Sequence, residues 1–523
     1  MPRRIRTTTL LTLYALFAAL PAVAEVSLPA LFCDNMVLQR NISIPVWGKA
    51  EPGEQVTVAL CDQKATATAD DQGQWMVKLG PRTAGGPYEM TVKGDNEITI
   101  ANLLIGDVWI CSGQSNMALT VRSTRDAAKD IAAANYPNLR LFTVDRKFSA
   151  EPREDVAGAW VECSPETVPG FSATAYYFGR KMHEVLGVPV GLIHSSWGGT
   201  PAEAWTSRSK LANRPVLQAI LDRWEVYCTE QYPKLVEQYP AKVAAWEKKA
   251  EAAKANGEKP PRKPRPPTPP VSQRAPGCLY NGMIAPLIPY AIKGAIWYQG
   301  EANAGRAWEY RTLFPAMITD WRQAWGQGNF PFLWVQLPNF MAIKDQPSNS
   351  AWAELREAQA LTLRLPNTGM ACIIEHGEAS NIHPKNKRPA GERMALWALA
   401  RFYGLHMPYC GPTYRSMRIE GNRVRIYFDH VGSRLARRVT TNAPYPTALT
   451  GFAIAGKDRK FVWAHAKFDG DTVIVWSEAV RKPVAVRYAW ADNPVCNLFN
   501  AEGLPAPPFR TDHWPGITWP KGK

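Results

Sequence analysis

From Glu25 to about residue 100 the chain alternates apolar and polar positions in short runs: Ile42 to Val46, Val56 to Leu60, Trp75 to Leu79 and Tyr88 to Val92. Turn signals such as Pro52-Gly53 and Asp71-Gln72-Gly73 separate these runs, so the period of two predicts a small all-β domain. Beyond residue 100 the runs become continuously apolar: Val108 to Cys111, Leu139 to Val144, Val188 to Ile193, Ala295 to Tyr298, Phe332 to Leu337 and Met370 to Ile374. Between them Thr174 to Leu186, Tyr310 to Trp325 and Trp352 to Leu363 carry apolar residues three and four apart. Buried strands alternating with amphipathic helices predict an α/β region, a parallel sheet flanked by helices, because most parallel crossovers contain a helix. Glu392 to Tyr403 reads as its closing helix. Val424 to Phe428, Phe461 to Ala464, Thr472 to Trp476 and Val484 to Tyr488 then predict a second all-β domain.

The α/β pattern is interrupted between Leu221 and Ala275. With breaks expected at Pro233 and Pro240, Ala241 to Lys254 reads as a helix, and Pro260 to Pro270 reads as an extended polyproline strap lying across the surface. At the other end Arg3, Arg4 and Arg6 precede an apolar segment, Leu10 to Leu20, that ends in Pro21-Ala22-Val23-Ala24. That is the form of a cleaved secretory signal, too short to span a bilayer, and it predicts a mature chain starting at Glu25. The expected division is a signal peptide at 1–24, a β domain at 25–100, an α/β core at 101–220 and 276–408 split by an insertion at 221–275, and a C-terminal β domain at 409–523. A secreted or periplasmic protein without a membrane span follows.

The formal charge of +15 changes this picture little, since the basic residues are dispersed and not gathered on one aromatic-laced face as a nucleic-acid site requires. The nine cysteines show no Cys-x-x-Cys spacing, which argues against a structural metal, and an odd count leaves at least one thiol free.

The candidate chemistry lies at the polar tips of the apolar runs. Val108-Trp109-Ile110-Cys111 stops at Ser112-Gly113-Gln114-Ser115-Asn116-Met117, placing Ser115 where a parallel sheet presents side chains to a ligand. Three more tips follow, Ser195-Ser196-Trp197-Gly198-Gly199-Thr200, Trp297-Tyr298-Gln299-Gly300-Glu301 and Asn381-Ile382-His383-Pro384-Lys385-Asn386-Lys387. A serine hydroxyl needs a base to become a nucleophile, and histidine suits that duty near neutral pH. His383 is the candidate; His194 and His376 compete, while His430, His465 and His513 receive no role.

This ordered set, with Leu38-Gln39-Arg40, Tyr280-Asn281-Gly282-Met283 and Tyr488-Ala489-Trp490-Ala491-Asp492, resembles the SGNH-type hydrolases and specifically the sialate O-acetylesterase family over nearly the whole mature chain. The resemblance implies an SGNH-like core and a serine esterase that hydrolyses O-acetyl esters of sialic acids through an acyl-enzyme. It implies Ser115 as nucleophile, His383 as base, and an oxyanion hole from the Ser115 N–H, a glycine of Gly198-Gly199 (taken as Gly199) and the Gln299 amide, with Gln114, Asn116, Glu301 and Asn381 in support. No cofactor and no metal are implied. The substrate partner is an O-acetylated sialic acid or sialoglycan, with no nucleic acid; oligomeric state and thiol pairing have no sequence signature. The family pattern Asp-Ile-His-Pro departs here to Asn381-Ile382-His383-Pro384, and Ser380 stands where SGNH hydrolases at large place the acid. Either Glu378 or Glu375 reaches the ring from farther back, or the enzyme runs on a Ser-His dyad, the reading favoured here with Glu378 in reserve. An acetylxylan-type carbohydrate esterase and a non-catalytic glycan-binding protein with a degenerate core remain as alternatives. An arginine is expected to read the sialic acid carboxylate; Arg306 lies close in sequence to a catalytic stretch.

Overall fold

The computed structural model describes residues 25–443 and 447–520, so the expected signal peptide lies outside the described residues. The central sheet runs in the order Thr368–Cys372, Phe332–Gln336, Gly294–Tyr298, Glu97–Gly113, Val190–Ser196, Tyr136–Thr143, Trp160–Cys163. All neighbours are parallel except the last pair. This is the α/β architecture that the continuous apolar runs predict: each run is buried because helices cover both faces. Trp109 meets Phe178 of the helix Ala173–Leu186 edge to face. Trp297 pairs in register with Ser112, three residues beyond Trp109 and therefore on the other face, and it meets Phe314 and Trp321 of the helix Ala307–Trp325.

The strand Glu97–Gly113 is longer than any neighbour because it serves two sheets. Its first half pairs antiparallel with Gly85–Lys93 in the N-terminal β region, and its second half is the middle of the α/β sheet. The boundary expected at residue 100 thus falls inside one continuous strand. Arg40 seals the junction with a two-pronged bond to the buried Asp107, to which Tyr403 also donates at 2.8 Å. The Leu38-Gln39-Arg40 motif is accordingly structural.

The C-terminal strands form small antiparallel sheets around a second apolar cluster. Arg356, fully buried, donates to the carbonyls of Leu337, Pro338, Ala491 and Asp492 and so fastens these sheets to the α/β core. That explains the Ala491-Asp492 end of the distant motif.

The insertion departs from expectation in one respect. Helix runs from Pro215 through a π turn at Tyr227–Gln231 and on from Tyr232 to Ala255, without breaks at Pro233 or Pro240. Pro233 falls in the first turn after the π segment, where a missing N–H costs little, and Pro240 is exposed so that water can satisfy the carbonyl it leaves free. The proline strap folds back along this helix: Trp246, Tyr239, Tyr227 and Trp224 donate to the carbonyls of Pro261, Pro264, Thr268 and Pro270. Proline carbonyls carry no intrachain partner in a polyproline helix, which leaves them open to these aromatic donors.

All nine cysteines are unpaired, and burial pushes the Cys111 thiol well above its ordinary value. Among the described residues no helix is long and apolar enough to cross a membrane.

Candidate active site

Gly113 ends the long strand at φ +140°, and a Cβ there would stand 2.2 Å from the Tyr298 carbonyl oxygen. Only glycine lets the two neighbouring strands close so tightly. The chain then turns into the short helix Ser115–Ala118, and Ser115 is half-buried at its first position. First-turn N–H groups have no acceptor within their helix, so the Ser115 N–H is free to bind an anion. Beside it Trp197 donates its N–H to the Gly113 carbonyl at 3.2 Å, which lays Gly198 against the nucleophile. A Cβ on Gly198 would come within 3.2 Å of Ser115 Cβ. Gly199 follows at φ +74°, and among the described residues no acceptor takes the N–H of Gly198 or Gly199.

His383 reaches the same point from 268 residues away, its Nε2 2.8 Å from Ser115 Oγ. With the hydroxyl donating, Nε2 is the acceptor and Nδ1 carries the ring proton. No hydrogen bond joins Nδ1 to a described residue, and no carboxylate contributes to the ring's basicity. Burial, with the nearby Lys387 charge, holds His383 below the usual imidazole range. Glu378 does not reach the ring: its oxygens accept from Asn381 Nδ2 at 3.0 Å and from Lys385 N at 2.8 Å. Glu375 is paired with Arg393 and His376. Asn381, where the pattern would place an acid, instead clips the backbone, donating to His383 O at 2.9 Å and accepting from His383 N at 3.0 Å.

Beneath the pair lies a buried polar relay that the sequence did not reveal. Asn116 donates to Glu301 and to the Ile382 carbonyl, and it accepts from Lys387 Nζ. Its side chain therefore locks the helix carrying Ser115 to the residue before His383. Burial pulls Lys387 down to about 7 and pushes Glu301 up, while their mutual attraction opposes both shifts. Lys387 belongs to the quoted Asn381–Lys387 stretch, but nothing in its spacing signals that the ammonium points inward.

Gln114 accepts weakly from the N–H groups of Gly300 and Ala302, joining two of the tips. Gln299 corrects an expectation. Fully buried, its amide nitrogen donates to Thr200 O at 3.3 Å and to Asn303 Oδ1 at 2.7 Å, and its oxygen accepts from Tyr310. Both amide hydrogens are engaged in joining two loops, so none is left for an oxyanion. Arg306 is likewise committed, to Glu203 and Glu309. Of the competing histidines, His194 is buried with Nε2 on Ser196 Oγ, and burial drives it down to about 3, so it stays neutral. Among the described residues no three His, Cys, Asp or Glu side chains gather so as to hold a metal ion.

Comparison with known proteins places the chain in a family. The family model for carbohydrate esterases described as sialic acid-specific acetylesterases matches residues 105–240 and 274–396, leaving out most of the proline-rich insertion. The sialate O-acetylesterase of Mus musculus is 31% identical across 92% of this chain and 93% of its own, and that of Homo sapiens 28% across 92% of each. A carbohydrate acetylesterase from Xanthomonas citri has a solved structure that superposes with a TM-score of 0.79 at 38% identity, covering 94% of this chain and all of its own. The chain is thus a carboxylic ester hydrolase with the fold of an esterase acting on acetylated sugars, and it belongs to the sialic acid-specific acetylesterase family of carbohydrate esterases.

Proposed function

We propose that this chain is an exported serine esterase that removes O-acetyl groups from sialic acids, using a Ser115–His383 dyad and an acetyl-enzyme intermediate. The observation that carries the reading is the 2.8 Å contact between Ser115 Oγ and His383 Nε2, set beside unengaged backbone donors. His383, neutral at pH 7 because burial disfavours its charge, takes the hydroxyl proton as Oγ attacks the acetyl carbon. The oxyanion forms against the N–H groups of Ser115 and of Gly198 or Gly199. Collapse expels the sugar oxygen, which takes the proton from imidazolium. Water then attacks the acetyl-serine with His383 again accepting the proton, and acetate leaves as Ser115 is restored. The work of a triad acid, holding the ring in place, falls to backbone: Asn381 grips His383 N and O, and Asn116 grips Ile382 O.

The sialate substrate rests on the family and its named relatives. A wider range of acetylated sugars is the second reading, favoured by the Xanthomonas relative, which is described only as a carbohydrate acetylesterase. A non-catalytic binder accords poorly with the dyad, since a decayed site has no reason to keep serine and imidazole in contact. Acetate release from O-acetylated sialic acid, from acetylated xylan and from p-nitrophenyl acetate decides among the three. The sialate reading expects the first to be turned over fastest and fails if xylan is preferred; no activity on any of them, with Ser115→Ala indistinguishable from wild type, would leave only the binder. Export is tested by N-terminal sequencing of protein recovered outside the cytoplasm, expected to begin at Glu25.

A further inference from the structure

The loop after Ser196 carries more than glycine donors. Two arginines from distant segments converge on its carbonyls, Arg274 Nη1 on Gly199 O at 2.7 Å and Arg146 Nε on Ser196 O at 3.3 Å. Both side chains are exposed, and neither forms an ion pair with a described residue. Each engages one of the five N–H groups a guanidinium offers, so each presents an unused fork to solvent. Arg306 and Arg393 are by contrast neutralised by glutamates.

Two residues after Arg146 stands an exposed aromatic ring. Phe148 is 40% exposed, and its ring centroid sits 6.1 Å from that of Trp197 in the same loop as Gly198. The segment bearing it is firmly held. Asn281 Nδ2 donates to Ala150 O at 2.6 Å, Ser149 N donates to Cys278 O at 3.0 Å, and Gly282 lies so close that a Cβ would stand 2.2 Å from the Lys147 carbonyl. The Tyr280–Met283 motif therefore serves to hold Arg146 and Phe148 at the mouth of the site.

We propose that Arg274, with Arg146 beside it, forms a subsite that binds the carboxylate of an acidic sugar while the Phe148–Trp197 pair supports the apolar side of its ring. The proposal deepens the sialate esterase reading and rests on it. A sialic acid bears its carboxylate and its acetylated hydroxyls on different parts of one ring system, so a carboxylate reader must stand to one side of the nucleophile. Arg274 does so, held on the carbonyl of Gly199, the residue after the glycine whose Cβ would crowd Ser115. A guanidinium fork matches a carboxylate in shape as well as charge, which lysine does not.

The test compares kcat/KM for an O-acetylated sialic acid with that for its carboxylate methyl ester, in wild type, Arg274→Gln, Arg274→Lys and Arg125→Gln. Arg125 is the control, an exposed arginine whose backbone N–H meets Lys385 O in the loop that bears His383. Wild type is expected to prefer the free acid, and Arg274→Gln to lower that preference by roughly 10- to 100-fold, mainly through KM, as loss of a charge-assisted bond implies. Arg274→Lys should restore part of it, and Arg125→Gln should leave it intact. The ratio is the readout because Arg274 also braces Gly199, so absolute rates on both substrates will fall. An unchanged ratio in Arg274→Gln, or a ratio lost in Arg125→Gln instead, overturns the subsite alone. A wild type indifferent to the carboxylate overturns the sialate reading as well.

Discussion

Glu378→Gln separates a dyad from a triad. The Glu378 carboxylate ties the two ends of the loop bearing His383, through Asn381 Nδ2 and Lys385 N, and leaves the imidazole untouched. Glutamine keeps one acceptor oxygen but turns an amide toward the second donor, so one charge-assisted bond is lost, about 1.5–3 kcal/mol of local loop stability. Little of that reaches the transition state, because the contact of His383 with Ser115 and its backbone clip to Asn381 both survive. The expected result is kcat within about tenfold of wild type, roughly 1.4 kcal/mol, with the pH profile in place. Removing the acid of a true triad costs about 10⁴-fold. Steady-state kinetics across pH on an O-acetyl ester decide the matter: a fall in kcat beyond about a hundredfold, near 2.7 kcal/mol, would refute the dyad. Asn381→Asp completes the test. It would not restore an acid, because position 381 faces the His383 backbone and Glu378. A carboxylate there would repel Glu378 across about the same 3.0 Å and abandon two donated bonds. Loss of activity is expected, and a gain would show that the new carboxylate reaches the ring after all.

Ser115→Ala and His383→Ala should each abolish nearly all turnover without unfolding the protein, and the double variant should be little worse than either, since the two act as one unit; additive losses in single-turnover assays would point to another base. The acidic limb of kcat/KM should lie below the ordinary imidazole value, because activity needs neutral His383 and is lost only as pH falls through its lowered pKa. Lys387→Met removes the cation that helps to lower it, so the limb should move to higher pH; an unmoved limb would place Lys387 outside the field of His383. Gly113→Ala should lower the melting temperature and abolish activity, since its Cβ would meet the Tyr298 carbonyl at a backbone angle unfavourable for alanine, and a normal variant would show that the two strands can part without cost.

Much of this protein is written locally. Strands and helices of the α/β core were legible because burial on both faces makes each strand a continuous apolar run, and burial on one face gives each helix its three- and four-residue spacing. Ser115 and His383 stand out in the sequence too, as polar residues following such runs, and the fold brings their side chains within 2.8 Å. What local pattern does not encode is where a polar side chain points once distant loops meet. Gln299 reads as an oxyanion donor until Thr200 and Asn303 take both its hydrogens, and Glu378 reads as a reserve acid near a histidine until its oxygens prove to accept from the Asn381 amide and the Lys385 N–H. Lys387 reads as one more surface lysine among many, yet folding buries it against Asn116 from 271 residues away. The long strand crossing an expected domain boundary has the same origin: hydrogen bonds between strands belong to the pairing and not to either segment, so only the tertiary structure decides them.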